Sequence, residues 1–421
     1  MIARIFYSLL FYLATPFILL RLFWRGRKQP GYRQEWRERF AFYRAPCLRP
    51  SQLPLIWLHA VSVGETRAAK PLIDALLERY PRHKLLITSM TPTGFATALE
   101  LYRHEPRILQ TWFPYDLPDV VWRFFRHFQP ALGILLETEI WPNLLREAAR
   151  RKIPVVLVNA RLSSRSARAY GKIARVIRPA LQCLAAVAAQ SEADANRLAI
   201  LGAPNIHICG NLKFDLAPDP DLMVLGESWK LPRPIWLAAS TREGEETLLL
   251  ALQKELCKTP ARPLLVLVPR HPQRFDAIAQ LIAQQGLTFS RRSQDLPDAK
   301  IEVWLGDSMG EMPAYYRLAD VAFIGGSLLP LGGQNLIEAA ACGCPILIGQ
   351  HTFNFAQATE NAIAAGAAKR VANAPELGEE IAKLLANPAE LQAMREAALT
   401  FARQHRGATE RTLCLLEQFV A

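Results

Sequence analysis

The sequence predicts an α/β fold of two doubly wound domains facing a cleft, and three observations carry that prediction. Short, wholly apolar runs alternate with helical patterns from Pro54 onward, the alternation restarts after residue 230, and a proline-rich connector separates the halves. Apolar strands with helical crossovers form parallel sheets covered on both faces, the Rossmann-like arrangement. At 421 residues the chain is long enough for two domains of roughly 150 to 200 residues, each with its own core.

The run IFYSLLFYLATPFILL, residues 5–20, is uncharged and bracketed by Arg4 and Arg21. Sixteen helical residues reach only about 24 Å, against the ~20 residues that usually cross a bilayer, so spanning and lying in the interface both stay open. We assign residues 1–24 to a membrane-anchoring helix, with a buried core helix as the other reading of the same run. The cluster from Trp24 to Lys28 marks its cytosolic flank, and no small-x-small cleavage site follows. Next, YRQEWRERFAFYR is expected to form an amphipathic helix with Trp36, Phe40 and Tyr43 on one side.

PLIWLHA, KLLITSM, ALGILLE, IPVVLVNA and LAAVAAQ read as the strands of a first domain over 25–215. ETRAAKPLIDALLERY, TPTGFATALELY and WPNLLREAARR read as its intervening helices. The connector at 216–232 is taken as a hinge. PIWLAAS, PLLVLVPR, IEVWLG, VAFIGG and CPILIG are the strands of a second domain, 233–421, which ends in a helical segment able to pack back across the hinge.

A net charge of +12 favours anionic partners: nucleic acid, lipid headgroups or phosphorylated metabolites. Ten basic residues against two acidic ones precede Ser51, so +8 of the surplus is concentrated beside the apolar helix. That distribution favours a membrane over nucleic acid. The seven cysteines form no CxxC pair and no zinc-type grouping with the eight histidines, which reads as free thiols in a reducing compartment.

HAVSVGET places Glu65 where the first strand ends and a helix begins. A first-turn carboxylate that offsets the helix dipole and a general base that faces the cleft both fit that position. ILLETEIWPN sets Glu137 and Glu139 on one face at another strand end, and GNLKFD brings Lys213 to the edge of the first domain. In the second half, Pro269 and Arg270 stop a strand with forked donors suited to phosphate. Met309, Gly310 and Glu311 make a strand exit with exposed backbone and an adaptable thioether. In GGQNLIEAAA, Asn335 and Glu338 have capping-box spacing around Leu336 and Ile337, and the same helix start suits a phosphate and a ribose. The glycines do not fit G-x-G-x-x-G. Asp219-Pro220-Asp221 is a D-x-D string, but its place between prolines in the hinge reads as linker and not as a metal site.

HAVSVGE, TSMTPTG, PYDLP, ETEIWPNL, NARLSSRS, NLKFD, PRHPQRF, GDSMGEM, GGQNLIEAAA and GQHTFNF, in this order, resemble the Kdo transferases of lipopolysaccharide synthesis, over essentially the whole chain. The resemblance implies a GT-B fold and inverting transfer of 3-deoxy-D-manno-octulosonic acid from CMP-Kdo to lipid A precursor. It implies no metal or other cofactor, and a place on the cytoplasmic face of the inner membrane among its lipids. Carried over, Glu65 is the base, Glu137 and Lys213 stabilise the transition state, and Pro269, Arg270, Met309–Glu311 and Asn335–Glu338 hold CMP. Two other classes compete: a GT-B enzyme using a uridine nucleotide, such as an epimerase, and a membrane-bound nucleic-acid binder.

Overall fold

The computed structural model describes residues 2–43 and 53–420. It comprises two compact units: the chain up to Leu216 together with the segment from Arg406 onward, and Ala217–His405. The first holds β1 (Leu55–His59), β2 (Lys84–Ser89), β3 (Ile108–Trp112), β4 (Leu132–Leu136), β5 (Val155–Ala160), β6 (Ala186–Ala189) and β7 (Ile206–Ile208). They form one parallel sheet in the order β3-β2-β1-β4-β5-β6-β7. The second holds β8 (Ile235–Thr241), β9 (Leu264–Pro269), β10 (Phe289–Arg291), β11 (Val303–Leu305), β12 (Val321–Ile324), β13 (Ile346–Ile348) and β14 (Ala368–Arg370), in the parallel order β10-β11-β9-β8-β12-β13-β14.

All ten expected strands are present, and every one is interior; the four that sequence patterning missed, β3, β7, β10 and β14, are the four sheet edges. Interior strands are buried on both faces and read as unbroken apolar runs, whereas FSR at β10 is half-buried throughout, AKR at β14 buries only Ala368, and both carry charge.

Successive residues of β1 serve opposite layers. Trp57 packs among Phe113, Phe124 and Phe125, the last two from the helix Pro118–Phe128. Ile56 and Leu58 meet Leu72 and Leu76 of the helix Val63–Arg79 and Leu413 and Leu416 of the closing helix Ala408–Leu416. Gly133 in β4 makes room for this packing, since a Cβ there would stand a tight 3.0 Å from the Trp57 ring.

The N-terminal helix runs Ile2–Lys28, 27 residues, or about 40 Å at 1.5 Å per residue, longer than the apolar run alone suggested. One stripe is bound to the first unit: Tyr7 donates to Asp116 at 3.0 Å, Ser8 to Asn143 at 3.1 Å and Tyr12 to Asp119 at 2.5 Å, while Phe11, Ile18 and Leu22 pack on the core. Along the opposite stripe Ile5, Phe6, Leu9, Leu13, Phe17, Leu20 and Trp24 are all more than half exposed.

Three local expectations need correction. The predicted amphipathic helix is instead two 3-10 turns, Pro30–Arg33 and Trp36–Phe40, separated by Glu35 in the left-handed region (φ 43°); Arg44, its expected end, lies outside the described residues. The break lets Arg39 bury its guanidinium 3.9 Å over the Trp112 ring and donate to the Met90 carbonyl, which a continuous helix with Arg39 on its polar face would not allow. The hinge segment contains the helix Pro220–Ser228, capped by Asp219, whose Oδ1 accepts from Asp221 N at 2.9 Å. That helix packs in the second unit so closely that a Cβ on Gly226 would meet the Ala314 carbonyl. Finally, the closing helix belongs to the first unit, although the sequence division ran the second domain to residue 421: Asp215 caps it by accepting from Gly407 N at 2.6 Å and Thr409 N at 2.5 Å, and Arg411 donates to the Cys209 carbonyl. Among the described residues the cysteines are free thiols.

Candidate active site

At the carboxyl edge of the first sheet, the chain leaves β1 through Ala60 and Val61 into the helix Val63–Arg79 and sets Glu65 in its first turn. Glu65 does not only face the dipole. Its Oε2 accepts from Val61 N at 2.5 Å, and the Val61 carbonyl in turn accepts from Met90 N, Thr91 N and the Thr91 hydroxyl, so the TSMT stretch clamps the same residue that the carboxylate holds. Burial first, then the negative charge of Glu137, raises the Glu65 pKa to about 8; Glu139 adds to this, and the Val61 hydrogen bond and Lys213 oppose it.

Glu137 follows β4 with φ 59°, a left-handed conformation that costs a non-glycine residue of order 1 kcal/mol and is kept where the surroundings demand it. Its N–H pairs with the Val158 carbonyl at 2.9 Å. Its Oε1 accepts from Lys213 Nζ at 3.1 Å, each side chain only 16% exposed. The structure brings together three residues that the sequence sets separately at this edge: Lys213 bonds Glu137, and the charges of both are felt at Glu65. Glu139 is engaged differently: it accepts from Trp141 Nε1 at 2.7 Å and lies 3.7 Å from Nε2 of His59, a fully buried ring stacked 3.8 Å from Phe113.

Three polar residues that pattern reading passed over frame this edge. Asn159, also left-handed at φ 54°, accepts from Leu212 N at 3.1 Å and so seats the turn that carries Lys213. Asp116, fully buried, accepts from Asn143 N, Leu144 N and Tyr7, capping the helix Pro142–Arg150; burial lifts its pKa to about 6 against the pull of those bonds. Asp215 caps the closing helix. Within PYDLP, NARLSSRS and NLKFD the side chains of Asp116, Asn159 and Asp215 bind backbone far away in sequence, which no local spacing reveals.

In the second unit the expected ligand-binding residues stand at the carboxyl ends of β9, β11 and β12. Pro269 ends β9, and Arg270 is exposed with its N–H on the Thr241 carbonyl at 3.0 Å. His271 is held below the ordinary histidine value by burial and by the charges of Arg242, Arg270 and Arg274, evidence that this edge is electropositive. Met309 is exposed, Gly310 takes φ 87°, and Glu311 accepts from Arg292 at 2.9 Å while its other oxygen, Oε2, is buried without a hydrogen-bond partner.

The capping box around Asn335 is corrected: the helix is Ile337–Ala341, its cap position is Leu336, and Asn335 Oδ1 accepts from Ile337 N at 3.2 Å. Leu336 and Ile337 turn their side chains into the core, so they offer a ligand only backbone. The glycine-rich approach is cross-tied by a residue sequence reasoning missed. Buried Glu245 accepts from Arg242 N at 3.0 Å, Gly326 N at 2.6 Å and Leu328 N at 3.2 Å, joining the exits of β8 and β12. Its neighbour Glu246 takes a forked pair from Arg274 at 2.6 and 3.0 Å. The acidic string EGEE at a helix start was the available signal.

Residues 34–216 match the family described as 3-Deoxy-D-manno-octulosonic-acid transferase (kdotransferase), and residues 289–401 match Glycosyl transferases group 1. The chain is 45% identical over 422 aligned residues to a 3-deoxy-D-manno-octulosonic acid transferase of Bordetella pertussis, covering 96% of this chain and 97% of that one. It is 38% identical to the Haemophilus influenzae protein of the same name, covering 99% of each. Among solved structures it resembles a UDP-GlcNAc 2-epimerase from Neisseria meningitidis, with TM-score 0.60 at 16% identity over 87% of this chain and all of that one, a likeness of fold alone. With two parallel seven-stranded α/β units and this near-complete correspondence, the chain belongs to the Kdo transferase family of GT-B glycosyltransferases.

Proposed function

We propose that the protein is an inverting glycosyltransferase that moves Kdo from CMP-Kdo to a lipid A precursor, with Glu65 as general base. The observation that carries this reading is Glu65 itself: a clamped, half-buried carboxylate at a strand exit whose pKa is raised to about 8 beside the Glu137–Lys213 pair. Such a group is basic enough to accept a proton from a sugar alcohol as that oxygen attacks. The new bond forms at the anomeric carbon on the face opposite CMP, the bond to the phosphate oxygen breaks, and CMP leaves with the electron pair. Lys213, held by Glu137, offsets negative charge near the reacting centre, and Arg270 meets the phosphate with a permanent charge. The backbone at Met309–Glu311 and Asn335–Glu338 would seat cytosine and ribose, with Glu311 Oε2 an unspent acceptor for an amine. Positive charge from the chain takes the place of a metal or other cofactor.

The exposed apolar stripe of the N-terminal helix supports membrane attachment, and the bonds from Tyr7, Ser8 and Tyr12 favour a helix lying in the interface, because a span would have to break them. With its arginine-rich flank in the cytosol, the enzyme would meet acceptor on the inner face of the inner membrane. The test is calorimetry with CMP and with UDP, and Kdo transfer with and without EDTA. CMP binding and EDTA-insensitive transfer are expected; preference for UDP would overturn the reading.

A further inference from the structure

Away from the carboxylates, a cavity of about 490 Å³ opens between the helix Pro118–Phe128 and the chain around residues 35–43. Its walls carry Arg37, Arg123 and Arg126 against one carboxylate, Glu35. Arg123 is committed to Asp119 at 2.8 Å and to the Phe40 carbonyl, and lies 4.6 Å over the Phe42 ring. Arg126 stacks 5.0 Å over Trp122, and among the described residues neither it nor Arg37 has a carboxylate partner. Tyr43, also on the wall, keeps its hydroxyl buried and without a hydrogen-bond partner. Among the described residues the walls thus hold two guanidinium groups without a carboxylate partner and a hydroxyl without a hydrogen-bond partner. Exposed Phe42 and Trp122 line the same cavity.

The location narrows the anion. Asp119, which holds Arg123 in the cavity wall, also accepts from Tyr12 of the N-terminal helix, so the cavity lies one carboxylate away from that helix. Aromatic rings beside arginines suit the level of a bilayer where headgroup phosphates lie.

We propose that this cavity binds the phosphodiester headgroup of an anionic phospholipid, with Arg37 and Arg126 on the phosphate and Tyr43 donating to one of its oxygens. The proposal rests on the interfacial seating of the N-terminal helix argued above. Charge complementarity singles out an acidic lipid over a zwitterionic one, whose ammonium would face the same guanidinium groups.

The test uses the full chain and short-chain dihexanoyl phosphatidylglycerol below its micelle concentration, followed by calorimetry. Saturable one-to-one binding is expected, weakened roughly tenfold or more in Arg37→Gln/Arg126→Gln. Both positions are exposed, so the variant keeps the fold. Arg21→Gln/Arg27→Gln, which removes the same charge from the helix flank, should leave this affinity within about threefold, because the expected loss is that of a site and not of diffuse attraction. Absence of saturation, equal loss in the two double variants, or displacement by inorganic phosphate at similar concentration would overturn the proposal. So would a cavity variant that binds the lipid normally but shows a raised KM for the acceptor in detergent, which would give the cavity to the acceptor instead. Flotation on neutral phosphatidylcholine vesicles separates the premise: wild type and both variants should float, and if none does, the interfacial seating fails and this site with it.

Discussion

Replacing Glu65 with Gln removes a charge that the fold disfavours while keeping an oxygen to accept from Val61 N–H. The folded-state pKa stands at about 8 against an ordinary 4.5, raised mainly by burial and the Glu137 charge. Below 4.5 the side chain is protonated whether folded or unfolded and costs nothing. As pH rises from there towards 8 the unfolded chain gives up its proton more readily, so wild-type stability falls relative to Gln, and the loss levels off above 8. At about 1.4 kcal/mol per pH unit the ceiling is roughly 5 kcal/mol. Residual solvent access and screening reduce it, and we expect about 1–3 kcal/mol. For a unit of this size that is a rise in Tm of roughly 3–10 °C. Thermal unfolding of both proteins at pH 5 and pH 9 reads it directly. A small advantage for Gln at pH 5, just inside that window, and a clearly larger one at pH 9 are expected. An offset that is the same at both pH values, or a Gln variant less stable at pH 9, would refute the claim that Glu65 is held against its own ionisation.

Other expectations follow from the same geometry. Because Lys213 is among the groups that lower the Glu65 pKa, Lys213→Met should move the acid limb of kcat/KM from near 8 to higher pH and cut kcat by about a hundredfold; an unmoved limb in the pH profile would separate the two residues. Arg270→Ala should weaken CMP about tenfold or more in calorimetry through loss of a charge-assisted contact, with acceptor KM unchanged. Glu245→Gln places an amide donor among three backbone N–H groups, so CMP affinity should also fall roughly tenfold, although Glu245 need not touch the nucleotide; unchanged affinity would show that the β8 and β12 exits hold their shape without it.

Both sheets were legible in the sequence where they are buried on both sides. PLIWLHA or PLLVLVPR has to be interior strand, whereas IHI at β7 and AKR at β14 take their conformation from one neighbour only and look like loop. The edge position of Glu65 and Glu137 was legible for a related reason: an acidic residue ending an apolar strand has few places to go but the sheet's carboxyl edge, a signal that Lys213, beside the connector, lacks. What was not legible depends on contacts distant in sequence. Glu245 reaches Gly326, Asp215 reaches Thr409, and Asp116 joins two helices through Tyr7 and Leu144. The amphipathic reading of residues 32–44 failed because helical periodicity does not register a left-handed Glu35 or the stacking of a buried Arg39 on Trp112.

The decisive measurement is mass spectrometry of a tetraacylated lipid A precursor after incubation with fresh CMP-Kdo and either wild-type protein or Glu65→Gln, with CMP affinity measured on both. Wild type should append Kdo to the lipid, and the variant should bind CMP as tightly yet leave the lipid unmodified. Transfer by the variant at near wild-type rate would show that the proton leaves the acceptor by another route.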